Sequence, residues 1–132
     1  MGSASGKYEL ASSDDNYDAY LKAIGVGLMQ RNLALKAKPT EEITEVYGRY
    51  TLKTLTALKN TEINFVLGEE FDEETFDGRK ARTTVTQDGD KFVQVQKYGD
   101  VEATIVRAFA DTSMEVTYSA KGVTCVRSFL RL

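Results

Sequence analysis

The chain has 132 residues, a formal net charge of −3 from 17 basic and 20 acidic side chains, one cysteine and no histidine. That length predicts one domain with a real core, and the acidic balance excludes a nucleic-acid protein driven by bulk positive charge. Lacking histidine, the chain has no Ser-His-Asp or Cys-His catalysis and no access to the commonest transition-metal ligand. Cys125 has no internal disulfide partner, which fits a reducing, cytosolic compartment.

Residues 1–5 lack the apolar stretch of a secretory signal. Gly6 stands where a myristoylation start wants Ser or Thr. These residues are set aside as a leader without function, and no apolar run approaches the roughly 18 residues of a membrane span. Gly6 to Leu10 reads as a short strand, followed by a polar break, Ser12-Ser13-Asp14-Asp15-Asn16, rich in helix-capping residues. Tyr17, Tyr20, Leu21 and Ile24 then recur at i, i+3, i+4 and i+7, the spacing of an amphipathic helix. Gly25 and Gly27 interrupt it, Val26, Met29 and Leu33 begin a second apolar stripe reaching Ala37, and Pro39 closes the segment. Residues 16–38 therefore form a helix-turn-helix pair.

From Thr40 the periodicity changes to two, with turn residues every eight to twelve positions. Strands are expected over Ile43–Tyr47, Tyr50–Leu55, Thr61–Leu67, Lys80–Val85, Phe92–Tyr98, Val101–Phe109, Met114–Ser119 and Val123–Leu132. Between Gly68 and Asp77 lies an acidic run, E-E-F-D-E-E-T-F-D. It lacks the EF-hand loop pattern, so no calcium site follows, and its alternation with Phe71 and Phe76 predicts an exposed strand. Regular spacing and short turns predict an all-β antiparallel meander of about ten strands, closed into a barrel that removes its edges. A barrel of that width encloses a cavity rather than filling with side chains. Gln94, Gln96, Thr54 and Thr56 fit either a partly wet interior or ordinary outer-face positions.

Two arginines fall on apolar strand faces. In V-E-A-T-I-V-R-A-F, Arg107 shares a face with Ala103, Ile105 and Phe109; in V-T-C-V-R-S-F-L-R-L, Arg127 shares one with Val123, Cys125 and Phe129. An inward charge is costly unless it is paired or hydrogen-bonded. The pattern admits two readings. Each arginine is a solvated or Asp/Glu-paired residue, or the two share an anionic partner such as a ligand carboxylate inside the protein.

The segment G-K-Y-E-L…N-Y-D-A-Y-L-K-A-I-G-V-G resembles the N-terminal signature of the intracellular lipid-binding proteins, the fatty-acid-binding protein group. K-N-T-E-I-N-F-V-L-G-E-E-F-D-E-E-T-F-D-G-R-K is similar to the group's central block, and V-R-A-F and C-V-R-S-F match its two arginine positions. The likeness runs from Gly6 to Leu132 and is nearest to arthropod members. It implies a ten-stranded up-and-down clam-shell barrel of the calycin/lipocalin type, capped by a helix-turn-helix lid. It also implies a non-enzymatic, monomeric cytoplasmic carrier of a long-chain fatty acid, with no cofactor, metal, catalytic residue or nucleic-acid partner. The ligand contacts implied are Arg107, Arg127, Phe129, Tyr17, Tyr20, Val26, Met29, Pro39, Thr54, Leu58, Phe76, Arg79, Gln96, Ile105 and Val116, with Arg127 the direct carboxylate partner and Arg107 beside it. Val26, Met29, Leu33, Leu58 and Phe76 would frame the portal. A retinoid carrier, or a membrane-interacting module with incidental lipid binding, is the alternative. An ester hydrolase would call for a histidine and a nucleophile elbow, and the chain has neither.

Two departures from the family pattern stand out. Phe129 occupies a place where the family commonly has tyrosine, and losing that hydroxyl donor would weaken acid binding by roughly 1.5–3 kcal/mol. Five residues separate Leu10 from Asn16 where four are usual, so the strand-to-helix junction is expected to bulge. Tail burial at about 0.8 kcal/mol per methylene sets affinity, and the arginines set head-group class. Within 16–38 the charges sum to +3 (Lys22, Arg31, Lys36 and Lys38 against Asp18), leaving −6 elsewhere. A basic lid on an acidic barrel suits transient contact with anionic membranes; a solvated helix face is the other reading. Lys22 and Arg31 also resemble part of a basic patch for nuclear import, with Asn32 spoiling its third position.

Overall fold

Pro39 divides the molecule, with the helical pair ahead of it and only strands and turns behind. The computed structural model describes residues 4–57 and 59–132. β1 (Gly6–Ser13) leads into α1 (Tyr17–Ala23) and α2 (Leu28–Lys36). The meander follows as β2 (Thr40–Val46), β3 (Arg49–Leu55), β4 (Thr61–Val66), β5 (Phe71–Glu74), β6 (Lys80–Asp88), β7 (Lys91–Tyr98), β8 (Val101–Phe109), β9 (Ser113–Ala120) and β10 (Val123–Arg131).

Alternation decides which way each strand faces. Along β8, Ala103, Ile105, Arg107 and Phe109 are buried while Glu102 is exposed. The β2–β3 and β9–β10 hairpins turn on Tyr47-Gly48 and Lys121-Gly122, with φ of 50° and 79° in the first and 49° and 79° in the second. Such left-handed pairs match the twist of the strands they join.

All strands are antiparallel, in the order β4-β3-β2-β1-β10-β9-β8-β7-β6-β5. The expected ten-stranded barrel is present, with one gap in its ladder: β4 and β5 are not hydrogen-bonded to each other. Side chains close that seam. Phe65 of β4 stacks on Phe71 of β5, with centroids 5.9 Å apart and planes 14° apart. Phe65 also stacks on Tyr50 at 5.5 Å, and contacts continue through Phe92 and Phe109 to Tyr8. The Gly68 amide donates to the Val85 carbonyl at 2.8 Å, holding the β4–β5 connection against β6.

The extra residue before Asn16 appears as a bulge. Leu10 pairs with Phe129 and Ser12 with Ser128, so Ala11 is the inserted residue. β1 then runs to Ser13 rather than ending at Leu10. Asn16 sits at the N-cap of α1 but makes no capping bond; its side-chain amide instead donates to the Thr124 carbonyl at 3.1 Å. At the chain start, the Ala4 carbonyl accepts from the Tyr8 hydroxyl at 2.8 Å and the Ser5 carbonyl accepts from Arg131 at 2.9 Å, so these two leader residues are held against the barrel.

α1 buries Tyr20 and Leu21, whereas no residue of α2 is buried. The predicted stripe Val26–Met29–Leu33 does not form one face, because α2 begins only at Leu28. Val26 lies in the inter-helix turn at 2% exposure, and Met29 points outward at 78%. Arg31 ties the helices together, donating to Asp18 at 2.9 Å and to the Val26 carbonyl at 2.8 Å.

Candidate ligand cavity

Between the lid and the inner sheet face lies a cavity of about 350 Å³, within the size range of small-molecule sites. Tyr17, Tyr20 and Leu21 line it from the first helix, Ile24 from that helix's C-cap, and Leu33 and Ala34 from the second. Its strand-side wall is polar, carrying Glu41, Thr54, Glu73, Thr75, Gln96, Arg107, Tyr118 and Arg127 beside Ile105 and Phe129.

Arg107, Val116 and Arg127 stand in one row across β8, β9 and β10, because Val116 is in register with both arginines. Both arginines are buried, at 6% and 4% exposure, yet their surroundings differ. Arg127 stacks on the Tyr17 ring, its guanidinium carbon 3.9 Å from the centroid, a cation–π contact that neutralises nothing. Its Nε is buried without a hydrogen-bond partner, and among the described residues no carboxylate pairs with it.

Arg107 is occupied from within the chain. Its Nε and Nη2 donate to the two carboxylate oxygens of Glu41 at 3.0 and 3.2 Å, and its Nη1 donates to Gln94 Oε1 at 2.6 Å. Burial works against the Arg107 charge, and the charge and hydrogen bonds of Glu41 outweigh it, so its pKa rises further. The expectation that both arginines await one external anion is thereby corrected, since one of them has a buried ion pair. Gln94 passes the network on, its Nε2 donating to Glu73 Oε1 at 3.1 Å. Glu73 also accepts from Thr83 at 2.8 Å and from Gln96 at 3.0 Å. The acidic run is thus not simply an exposed strand: Glu73 of β5 turns inward, where amide and hydroxyl donors satisfy it. Gln94 and Gln96 are interior residues, at 2% and 6% exposure.

Arg79 also lines the cavity, but its donors are engaged. Nε and Nη2 grip Asp77 at 2.6 and 2.7 Å, and Nη1 reaches the Ile24 carbonyl at 2.5 Å and the Tyr98 hydroxyl. Tyr98 in turn donates to the same Ile24 carbonyl at 2.7 Å. These bonds fasten the C-terminal end of α1 to the β5–β6 turn and β7. Lys59 Nζ donates to the Phe76 carbonyl at 2.9 Å, joining the β3–β4 and β5–β6 turns.

Of the remaining expected contacts, Tyr17, Tyr20, Pro39, Thr54, Phe76, Gln96, Ile105 and Phe129 stand on the cavity wall. Val26, Met29 and Val116 do not: Val26 is packed in the inter-helix turn, Met29 faces out, and Val116 is fully enclosed between the arginines. Leu58 lies outside the described residues. Burial holds the Tyr17, Tyr20 and Tyr118 phenols protonated well above the ordinary tyrosine range. Cys125 is fully buried, and burial together with a hydrogen bond to Asp14 pushes its thiol up to about 12. Glu41, Glu73 and Tyr118 were not anticipated. The signal for Glu41 was its period-two relation to Ile43, blurred by Glu42 beside it.

The barrel, its helical cap and the arginine pair on the inner wall define the class. The chain belongs to the lipocalin / cytosolic fatty-acid binding protein family, whose model matches residues 5–131. It is 50% identical over 132 residues to a fatty acid-binding protein of Tyrophagus putrescentiae, covering 99% of each chain. Among solved structures it is similar to the REP1-NXSQ fatty acid transporter, with a TM-score of 0.92 and 41% identity over 97% of this chain and 95% of that one. A Schistosoma mansoni fatty acid binding protein in complex with arachidonic acid matches at a TM-score of 0.95 and 33% identity, over 100% of this chain and 98% of that one.

Proposed function

We propose that the chain is a non-enzymatic, cytoplasmic, monomeric carrier of a long-chain fatty acid, its tail in the cavity and its carboxylate on Arg127. The observation that carries this reading is Arg127 itself: a buried guanidinium on the cavity wall whose Nε has no hydrogen-bond partner. A buried, unpaired cation calls for an anion, and a guanidinium grips a carboxylate at two points. The relatives named for fatty acids, one of them in complex with arachidonic acid, supply the ligand class. Burying a dozen methylenes gives on the order of 10 kcal/mol before ordering costs. Arg127→Ala should therefore weaken oleate at least ~10-fold more than oleyl alcohol, the worth of a hydrogen bond to a charged group. Equal losses in titrations of the delipidated protein would remove Arg127 from head-group binding.

Delivery to anionic membranes is the second part of the reading. α2 exposes Leu28 (65%) and Met29 (78%), and the exposed Lys22, Lys36 and Lys38 flank them along the lid. Arg31 is tied to Asp18 and contributes less free charge than the composition implied. Replacing Lys22 and Lys36 by Gln should slow oleate transfer to anionic vesicles but not to neutral ones; unchanged rates would count against lid docking.

A further inference from the structure

The Glu41–Arg107 pair has the chemistry of a bound carboxylate supplied by the chain itself. Guanidinium nitrogens meet both oxygens at 3.0 and 3.2 Å, and the Thr54 hydroxyl donates to one of them at 3.1 Å. Glu41 is on the cavity wall at 4% exposure, not behind it. Further along the same row, past Val116, Arg127 holds no such partner. An incoming acid therefore meets one available guanidinium where the inner wall presents two, with a fixed negative charge alongside.

We propose that Glu41 is an internal competitor for Arg107 that sets head-group selectivity, lowering the preference of the cavity for ionised acids over neutral-headed lipids. This rests on the carrier reading given above. A ligand carboxylate can engage Arg107 only by breaking a buried, hydrogen-bonded ion pair, and removing one partner of such a pair strands the other. A carboxylate held on Arg127 alone gains little attraction from Arg107, because Glu41 on the same cavity wall already offsets that cation. A hydroxyl or amide head group escapes both effects. Thr54 gives Glu41 a further hydrogen bond that holds it in place.

Glu41→Gln tests this, because it keeps the shape and an acceptor for Arg107 while removing the charge. Delipidated full-length protein titrated with oleate and with oleyl alcohol should show oleate tightened roughly tenfold or more, with the alcohol shifted far less. Oleate binding unchanged or weakened in the folded variant, or equal gains for both lipids, would overturn the proposal. If Glu41→Gln alone fails to fold, the comparison is Arg107→Gln against the double variant Glu41→Gln/Arg107→Gln. The double variant should bind oleate more tightly, since in the single one the Glu41 carboxyl loses its partner on the cavity wall that Arg127 also lines; no difference overturns the proposal. The two readings fail separately. Should Arg127→Ala weaken oleate while Glu41→Gln leaves it unchanged, the carrier reading stands and the competitor falls. Should Glu41→Gln tighten oleate while Arg127→Ala does not weaken it, the competitor stands and Arg127 is not the head-group partner.

Discussion

Phe129 stands two residues beyond Arg127 on the same strand face, on the cavity wall and 1% exposed. Its ring adds apolar surface but no donor, so the head group must find its second hydrogen bond elsewhere. Phe129→Tyr should tighten oleate by roughly tenfold, the worth of one hydrogen bond to a charged group, while leaving oleyl alcohol nearly unchanged. Calorimetric titration of both lipids reads this directly, and an unchanged oleate affinity would mean that another donor already fills the place. From the pattern alone Arg107 and Arg127 looked alike, each an inward charge among apolar neighbours. Their difference comes from Glu41, which is 66 residues distant along the chain from Arg107 and reaches it only across the barrel.

α1 is seven residues long and α2 has no buried residue, so the lid depends on its fastenings more than on its own packing. Arg79 and Tyr98 form the principal one, both donating to the Ile24 carbonyl, while Asp77 grips Arg79. Burial pushes the Asp77 carboxyl up, but hydrogen bonds from Arg79 and Thr75 and the charge of Arg79 outweigh it and hold it below the usual range. A carboxyl lowered in the folded state contributes stability that is complete above its unfolded value of about 3.9 and is lost as pH falls through the folded one. The protection of amides across residues 17–24, relative to their intrinsic exchange rates, should therefore fall below about pH 4, ahead of the barrel strands. Arg79→Ala should produce the same loosening at neutral pH and speed oleate dissociation by roughly tenfold. Stopped-flow release rates equal to those of the unaltered chain would show that Arg79 does not hold the lid.

Taken as a whole, the molecule is a barrel with one seam that lacks main-chain hydrogen bonds. Phe65 and Phe71 face each other across it, and Phe65 also meets Tyr50 and Phe92. Phe65→Ala removes the bridging ring and leaves a cavity in a packed cluster, so it should cost about 3–5 kcal/mol of unfolding free energy. Urea denaturation measures this; a loss under about 1 kcal/mol would mean that the seam is held mainly by the β4–β5 connection.

The sequence by itself determined the period-two strands, their turns, the helical pair ahead of Pro39 and the strand face that Arg127 shares with Phe129 and Arg107 with Phe109, with two readings open for the arginines. These follow from local rules: side-chain alternation, glycine at left-handed turns and helical spacing of Tyr17, Tyr20, Leu21 and Ile24. The family resemblance added the expectation of a bulge between Leu10 and Asn16, which the structure has at Ala11. Only the tertiary structure decided which arginine is satisfied, that Glu73 turns into the cavity, that Met29 faces away from it and Val116 is sealed off from it, and that β4 and β5 stay unpaired. The physical reason is that a buried charge is defined by its partner. Here the deciding partner, Glu41, lies on β2, which is not a sheet neighbour of β8 and meets Arg107 only when the sheet curls on itself.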